Sequence, residues 1–109
     1  MACTHLVVKV ATEHAVFDEG VPRGGIPFVI DEAYVEYAGL ESSQAGLTQK
    51  FPNVLITRTL SKAYGLAGMR FGYALGNKDV IAQISAALLP WNVGTIPMWA
   101  ALAALEDTE

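Results

Sequence analysis

Two strand-like runs, the apolar Pro27-Phe28-Val29-Ile30 and Val54-Leu55-Ile56-Thr57, which ends in polar residues, constrain this chain more than anything else in it. A strand with one wet face alternates apolar and polar residues. A strand without that alternation is covered on both faces, as in a parallel sheet layered by helices. The runs therefore predict an α/β fold, organised as a partial three-layer α/β/α sandwich. They also place polar chemistry at strand ends. Asp31-Glu32 follow the first run at once, and Thr59, Ser61 and Lys62 lie just beyond the second. In open α/β sheets, the C-terminal edge of the strands is where ligands bind.

The remaining elements follow from pattern. Residues 6–10 are a short β-branched run that reads as a strand, and Phe71-Gly72-Tyr73-Ala74-Leu75 reads as another, ended by Gly76-Asn77. Asp79 is expected to cap a helix carrying Ile81, Ile84 and Leu88 on one face. Thr95 and Pro97 open a last helix over 98–105, proline being tolerated in a first turn. That helix is apolar nearly all round, so burial on several sides is expected. Residues 39–50 read as a surface loop with room for a short helix. Gly20, Pro22, Gly24 and Gly25 mark a loop upstream. Residues 1–25 are left unassigned, and 26–109 are taken as one unit.

Composition narrows the function classes. A chain of 109 residues makes one ordinary domain. Its residues are 52% apolar and only 17% charged, against roughly 25% charged in typical soluble domains. Small domains have large surfaces for their volume. The apolar excess therefore predicts faces covered by further chain or by a second subunit, as in a homodimer or larger self-association. A net charge of −4 without a basic run argues against nucleic acid, which calls for clustered Lys and Arg. Cys3 is the one cysteine, so neither an intrachain disulfide nor a cysteine metal cluster is possible. This fits a cytoplasmic location. No metal-ligand spacing is present; His5 and His14 are isolated and read as ordinary histidines.

The opening residues lack the basic n-region of a signal peptide. Residues 80–105 hold no charge, and that run exceeds the ~20 residues a bilayer requires. Pro90, Asn92, Gly94 and Pro97 interrupt it, however. Two short buried helices about a turn are expected instead of a membrane span.

The polar residues after the two runs share one chemistry. A pyridoxal phosphate (PLP) site needs an amine to hold the cofactor, an anion at the pyridine nitrogen, a donor near the ring oxygen, and cations with hydroxyls around the phosphate. Lys62 can be the amine, in an apolar setting made by Tyr64, Leu66 and Ala67 with Arg70 as the nearby positive charge. Asp31 can accept from the pyridinium N–H, and Tyr34 can donate to the ring oxygen. Arg70 can fork onto a phosphate, with Thr59 and Ser61 as hydroxyl donors. Taken singly, each has a plainer reading. Most lysines are solvated, an aspartate after a strand can cap a loop, and a half-buried tyrosine need only satisfy its hydroxyl. Arg58, in the same stretch, is counted as structural.

The residues as a set resemble a known family. Val29-Ile30-Asp31-Glu32-Ala33-Tyr34, followed by Arg58-Thr59-Leu60-Ser61-Lys62-Ala63-Tyr64-Gly65-Leu66-Ala67-Gly68-Met69-Arg70-Phe71-Gly72-Tyr73, is similar to the fold type I PLP-dependent aminotransferases. Within them it most resembles the histidinol-phosphate aminotransferases. The resemblance runs from about residue 27 to 105, and Trp91-Asn92 is similar to the family's loop between the large domain and the helix leading to the small one. It implies that Lys62 carries PLP and moves the substrate proton. It further implies Asp31 on the pyridine nitrogen, Tyr34 on the ring oxygen, and Thr59, Ser61 and Arg70 on the phosphate. It also implies amino acid and oxo acid substrates and a dimer.

By the same resemblance the chain is a central slice of a PLP-binding large domain, expected to be inactive alone. A non-catalytic assembly module of the same fold, or part of a decarboxylase acting on a phosphorylated amino acid, are the alternatives.

Overall fold

The computed structural model describes residues 8–9, 27–90 and 92–107. Within them a four-stranded sheet runs in chain order: β1 (Val8–Lys9), β2 (Phe28–Asp31), β3 (Val54–Thr59) and β4 (Gly72–Gly76). β1, β2 and β3 are parallel, as the unalternating runs predict, with Val29 opposite Leu55 and Asp31 opposite Thr57. β4 is antiparallel to β3, with Tyr73 opposite Arg58. Its reversal needs only the compact turn after β3, whereas a parallel neighbour needs a long crossover.

Side chains alternate across a strand, and that rule sorts the sheet into two faces. Ile30, Val54 and Ile56 point to one, where Leu47 and the half-buried Phe28, Phe51 and Leu75 complete the core. Leu47 belongs to the short helix α2 (Leu47–Lys50), preceded by α1 (Val35–Ala38) and a 3-10 turn (Leu40–Ser42). Val29 and Leu55 point to the other face, also buried. There Ile81 of helix α3 (Lys78–Ala87) reaches the space above Gly76. The sheet thus carries helix on both sides, a partial α/β/α sandwich.

Boundaries and caps differ from expectation in places. β3 continues through Thr59, so Thr59 is a strand residue and not a loop residue beyond it. β4 begins one residue late, at Gly72, although Leu60 N–H still donates to Phe71 O at 3.2 Å in the same register. Asn77, not Asp79, caps α3: its Oδ1 accepts from Asp79 N–H at 2.9 Å. Asp79 sits instead in the first turn, where a carboxylate favours the helix dipole.

The last helix, α4, spans Thr95–Glu106 with Pro97 in its first turn. Ala101 is buried and Pro97, Ala100 and Ala104 are half-buried, forming one stripe at helical spacing. α4 packs on the 3-10 turn Ala67–Met69. Ile96, Met98, Trp99, Leu102 and Leu105 are exposed. This corrects the expectation of burial on several sides: among the described residues only the small-residue stripe finds a partner. No helix among the described residues is long and apolar enough to cross a membrane. The 1–25 segment, Trp91 and both histidines lie outside the described residues, Val8–Lys9 excepted.

Candidate active site at the C-terminal strand edge

Asp31 closes β2 and Thr57 stands opposite it on β3. Their side chains share a face, and Thr57 Oγ1 donates to Asp31 Oδ1 at 3.1 Å. Ala33 N–H donates to the same oxygen at 3.2 Å, a local turn of the kind aspartate favours. Both bonds land on Oδ1, and among the described residues nothing donates to Oδ2. A pyridinium N–H is one donor it can accept.

The chain then turns through Ala33 and Tyr34 into α1. The Tyr34 ring is exposed and lies tilted against Tyr37, with centroids 6.1 Å apart. Lys62 Nζ sits over the Tyr34 ring, 5.4 Å from its centroid, within the ~6 Å range of cation–π attraction. The loop after β2 and the turn after β3 are thereby joined through the two residues expected to meet the cofactor's ring oxygen and aldehyde. Lys62 is itself exposed, so Tyr64, Leu66 and Ala67 do not bury it.

The turn carrying Lys62 is built by backbone bonds. Leu60 is fully buried, its N–H donates to Phe71 O, and its carbonyl accepts from Leu66 N–H at 3.0 Å. Gly65 N–H closes back on Lys62 O at 3.0 Å, with Gly65 at φ +64°. Thr59 Oγ1 accepts from Ser61 N–H at 3.1 Å and donates to Phe71 O at 3.4 Å. The Ser61 hydroxyl makes no described bond. Arg70 adopts the left-handed conformation, φ 53° and ψ 47°, and its exposed guanidinium donates to Ala67 O at 3.2 Å.

Asp31 with Thr57, Tyr34 with Lys62, and Thr59 with Ser61 are thus brought together in pairs. Arg70 is turned back on its own turn. Among the described residues no hydrogen bond joins Asp31 to Lys62.

One polar cluster was not foreseen as such. Glu32 is buried and forms an ion pair with Arg58, Nη2 to Oε2 at 2.9 Å and Nε to Oε2 at 3.0 Å. Ser43 Oγ donates to Glu32 Oε2 at 2.9 Å, Gln44 N–H donates to Oε1, and Arg58 Nη2 reaches Ser43 Oγ at 2.7 Å. Partial burial would lower the Arg58 pKa. Hydrogen bonds to Tyr73 and Glu32, with the Glu32 charge, outweigh it and hold the guanidinium above its usual value. The sequence signal was available: if Asp31 takes one face of the strand, Glu32 takes the other.

Comparison with known proteins shows the family. Residues 19–109 match the family described as "Aminotransferase class I and II". The chain belongs to the class I and II aminotransferases. It is 50% identical over 93 residues to histidinol-phosphate aminotransferase 1 of Bacillus cereus (strain ATCC 10987 / NRS 248), covering 84% of this chain and 25% of that protein. Among solved structures, histidinol-phosphate aminotransferase from Sinorhizobium meliloti in complex with pyridoxal-5'-phosphate superimposes with a TM-score of 0.68 at 38% identity. That match covers 74% of this chain and 22% of the other.

L-threonine-O-3-phosphate decarboxylase from Porphyromonas gingivalis superimposes at 0.65 with 32% identity, covering 72% and 24%. The chain spans about a quarter of the length of the curated relatives it matches.

Proposed function

We propose that this chain supplies the PLP-gripping strand edge of an aminotransferase that moves an amino group from histidinol phosphate, or a similar amine, to 2-oxoglutarate. The observation that carries the reading is the meeting of Lys62 Nζ with the Tyr34 ring, three residues after Asp31, whose Oδ2 receives no donor among the described residues. Bound PLP supplies an electron sink for bonds at the substrate α-carbon. The chain's own residues do the rest. Asp31 accepts from the pyridine nitrogen, and Tyr34 directs its hydroxyl to the ring oxygen. Lys62 holds the cofactor through Nζ and moves a proton at the substrate α-carbon. Thr59 and Ser61 offer hydroxyls, and Arg70 a guanidinium, to the phosphate.

The test is chemical. The chain is mixed with PLP, reduced with borohydride, and digested to locate the modified lysine. Modification confined to Lys62 supports the reading; scattered modification of Lys9, Lys50 and Lys78 overturns it. The 109-residue chain alone is inactive in transamination on this proposal, and robust PLP-dependent turnover with glutamate would contradict that.

The likeness to the P. gingivalis enzyme favours one second reading, a decarboxylase acting on a phosphorylated amino acid. Release of carbon dioxide by the whole protein distinguishes it. The open apolar side of α4 supports self-association as a homodimer or larger assembly, read by sedimentation, and a cytoplasmic location goes with either chemistry.

A further inference from the structure

Among the described residues Asp31 receives two neutral donors on its own face of the sheet, at 3.1 and 3.2 Å, the long end of the hydrogen-bond range. Those bonds orient the carboxylate but do little to hold the backbone beneath it. The opposite face is built differently. Glu32 and Arg58 have side chains only 6% and 15% exposed and are paired through two guanidinium nitrogens. Glu32 follows Asp31 in the chain, and Arg58 follows Thr57, the residue in register with Asp31. Glu32 N–H also donates to Thr57 O at 2.8 Å. The ion pair therefore ties β2 to β3 one rung beyond Asp31, from behind. Ser43 and Gln44 bring the loop after α1 to the same carboxylate.

We infer that Glu32 and Arg58 are positioning residues: a reverse-face clamp that sets where Asp31 stands for the nitrogen of a pyridine ring. The inference rests on the role proposed above for Asp31. A purely structural ion pair changes how much of the chain is folded. A clamp also changes what the folded chain prefers to bind, because Thr59 and Ser61 are held by their own turn and keep their place when Asp31 shifts.

The experiment uses the full chain and two ligands: PLP, and its analogue with a ring C–H in place of the nitrogen. Removing one partner of a buried pair can unfold a protein, whereas replacing both with apolar residues of like volume is tolerated. The main variant is thus the double substitution Glu32→Leu with Arg58→Met, accompanied by Arg58→Lys, which keeps the charge but loses the fork. Amide exchange at Ala33, whose N–H bonds Asp31, is read against Ile56 in the core.

The double variant is expected to bind PLP about 10-fold more weakly, the scale of a weakened charge-assisted hydrogen bond. Analogue affinity and Ile56 exchange stay unchanged, Ala33 exchanges faster, and Arg58→Lys falls between. An unchanged ratio of the two affinities together with unchanged Ala33 exchange overturns the clamp. If the unsubstituted chain binds both ligands equally, the role of Asp31 at the ring nitrogen fails instead. Ala33 exchange then still decides whether the pair holds the strand end.

Discussion

Replacing Leu60 with alanine tests how the Lys62 turn is held. Leu60 is fully buried between Thr59 and Ser61, and its backbone bonds to Phe71 and Leu66 close the turn. The substitution leaves those bonds in place and removes three side-chain carbons. At ~0.8 kcal/mol per buried carbon the lost transfer free energy is about 2.4 kcal/mol. A cavity that the sheet and turn cannot fully close raises the total to about 3–4 kcal/mol. That is a large part of the ~5–15 kcal/mol that stabilises an ordinary domain.

Leu89→Ala is the control, because Leu89 is 78% exposed and its loss is expected to change stability by less than ~0.5 kcal/mol. Urea unfolding followed by far-ultraviolet circular dichroism gives both values. Exchange at the Leu66 amide shows whether the turn loosens before the sheet does. A Leu60→Ala loss below ~1 kcal/mol, or equal losses for the two variants, would refute the claim that a buried side chain anchors this turn.

Other outcomes follow from single contacts. Arg70→Ala weakens PLP binding by ~1.5–3 kcal/mol if the guanidinium meets the phosphate. Arg70→Gly does the same while relieving the left-handed backbone, so it melts at an equal or higher temperature than Arg70→Ala; the reverse order contradicts the strain argument. Gly72→Ala would place a Cβ 2.9 Å from the Arg58 carbonyl, and a loss of ~1–3 kcal/mol in thermal unfolding is expected from that overpacking. Asn77→Ala removes the α3 cap and lowers stability by ~1 kcal/mol, measurable as a shift in urea midpoint.

Much of the candidate site was legible because its placement at strand ends depends on short-range order. Asp31, Thr59, Ser61 and Lys62 follow apolar runs whose lack of alternation marks strands, and strand ends share one edge of a parallel sheet. The same logic extended one residue further would have found the Glu32–Arg58 pair, since alternation sends neighbours to opposite faces. What pattern could not supply was the partner in space. Ser43 and Gln44 come from a loop read only as polar surface, and Tyr73 reaches Arg58 through a register that no local signal sets. α4 shows the limit from the other side: its composition calls for burial, yet composition names no neighbour.

The chain's own order of residues determined that there would be strands and which polar groups would stand near their ends, though not the residue at which each strand stops, because backbone propensity and apolar periodicity act over a few residues. Tertiary structure alone decided the antiparallel entry of β4, the seat of Lys62 over the Tyr34 ring, and the buried ion pair behind Asp31. Those depend on contacts between residues 13 to 28 positions apart in the chain. Such contacts are chosen by packing and pairing of the whole sheet, and no short window of sequence holds that information.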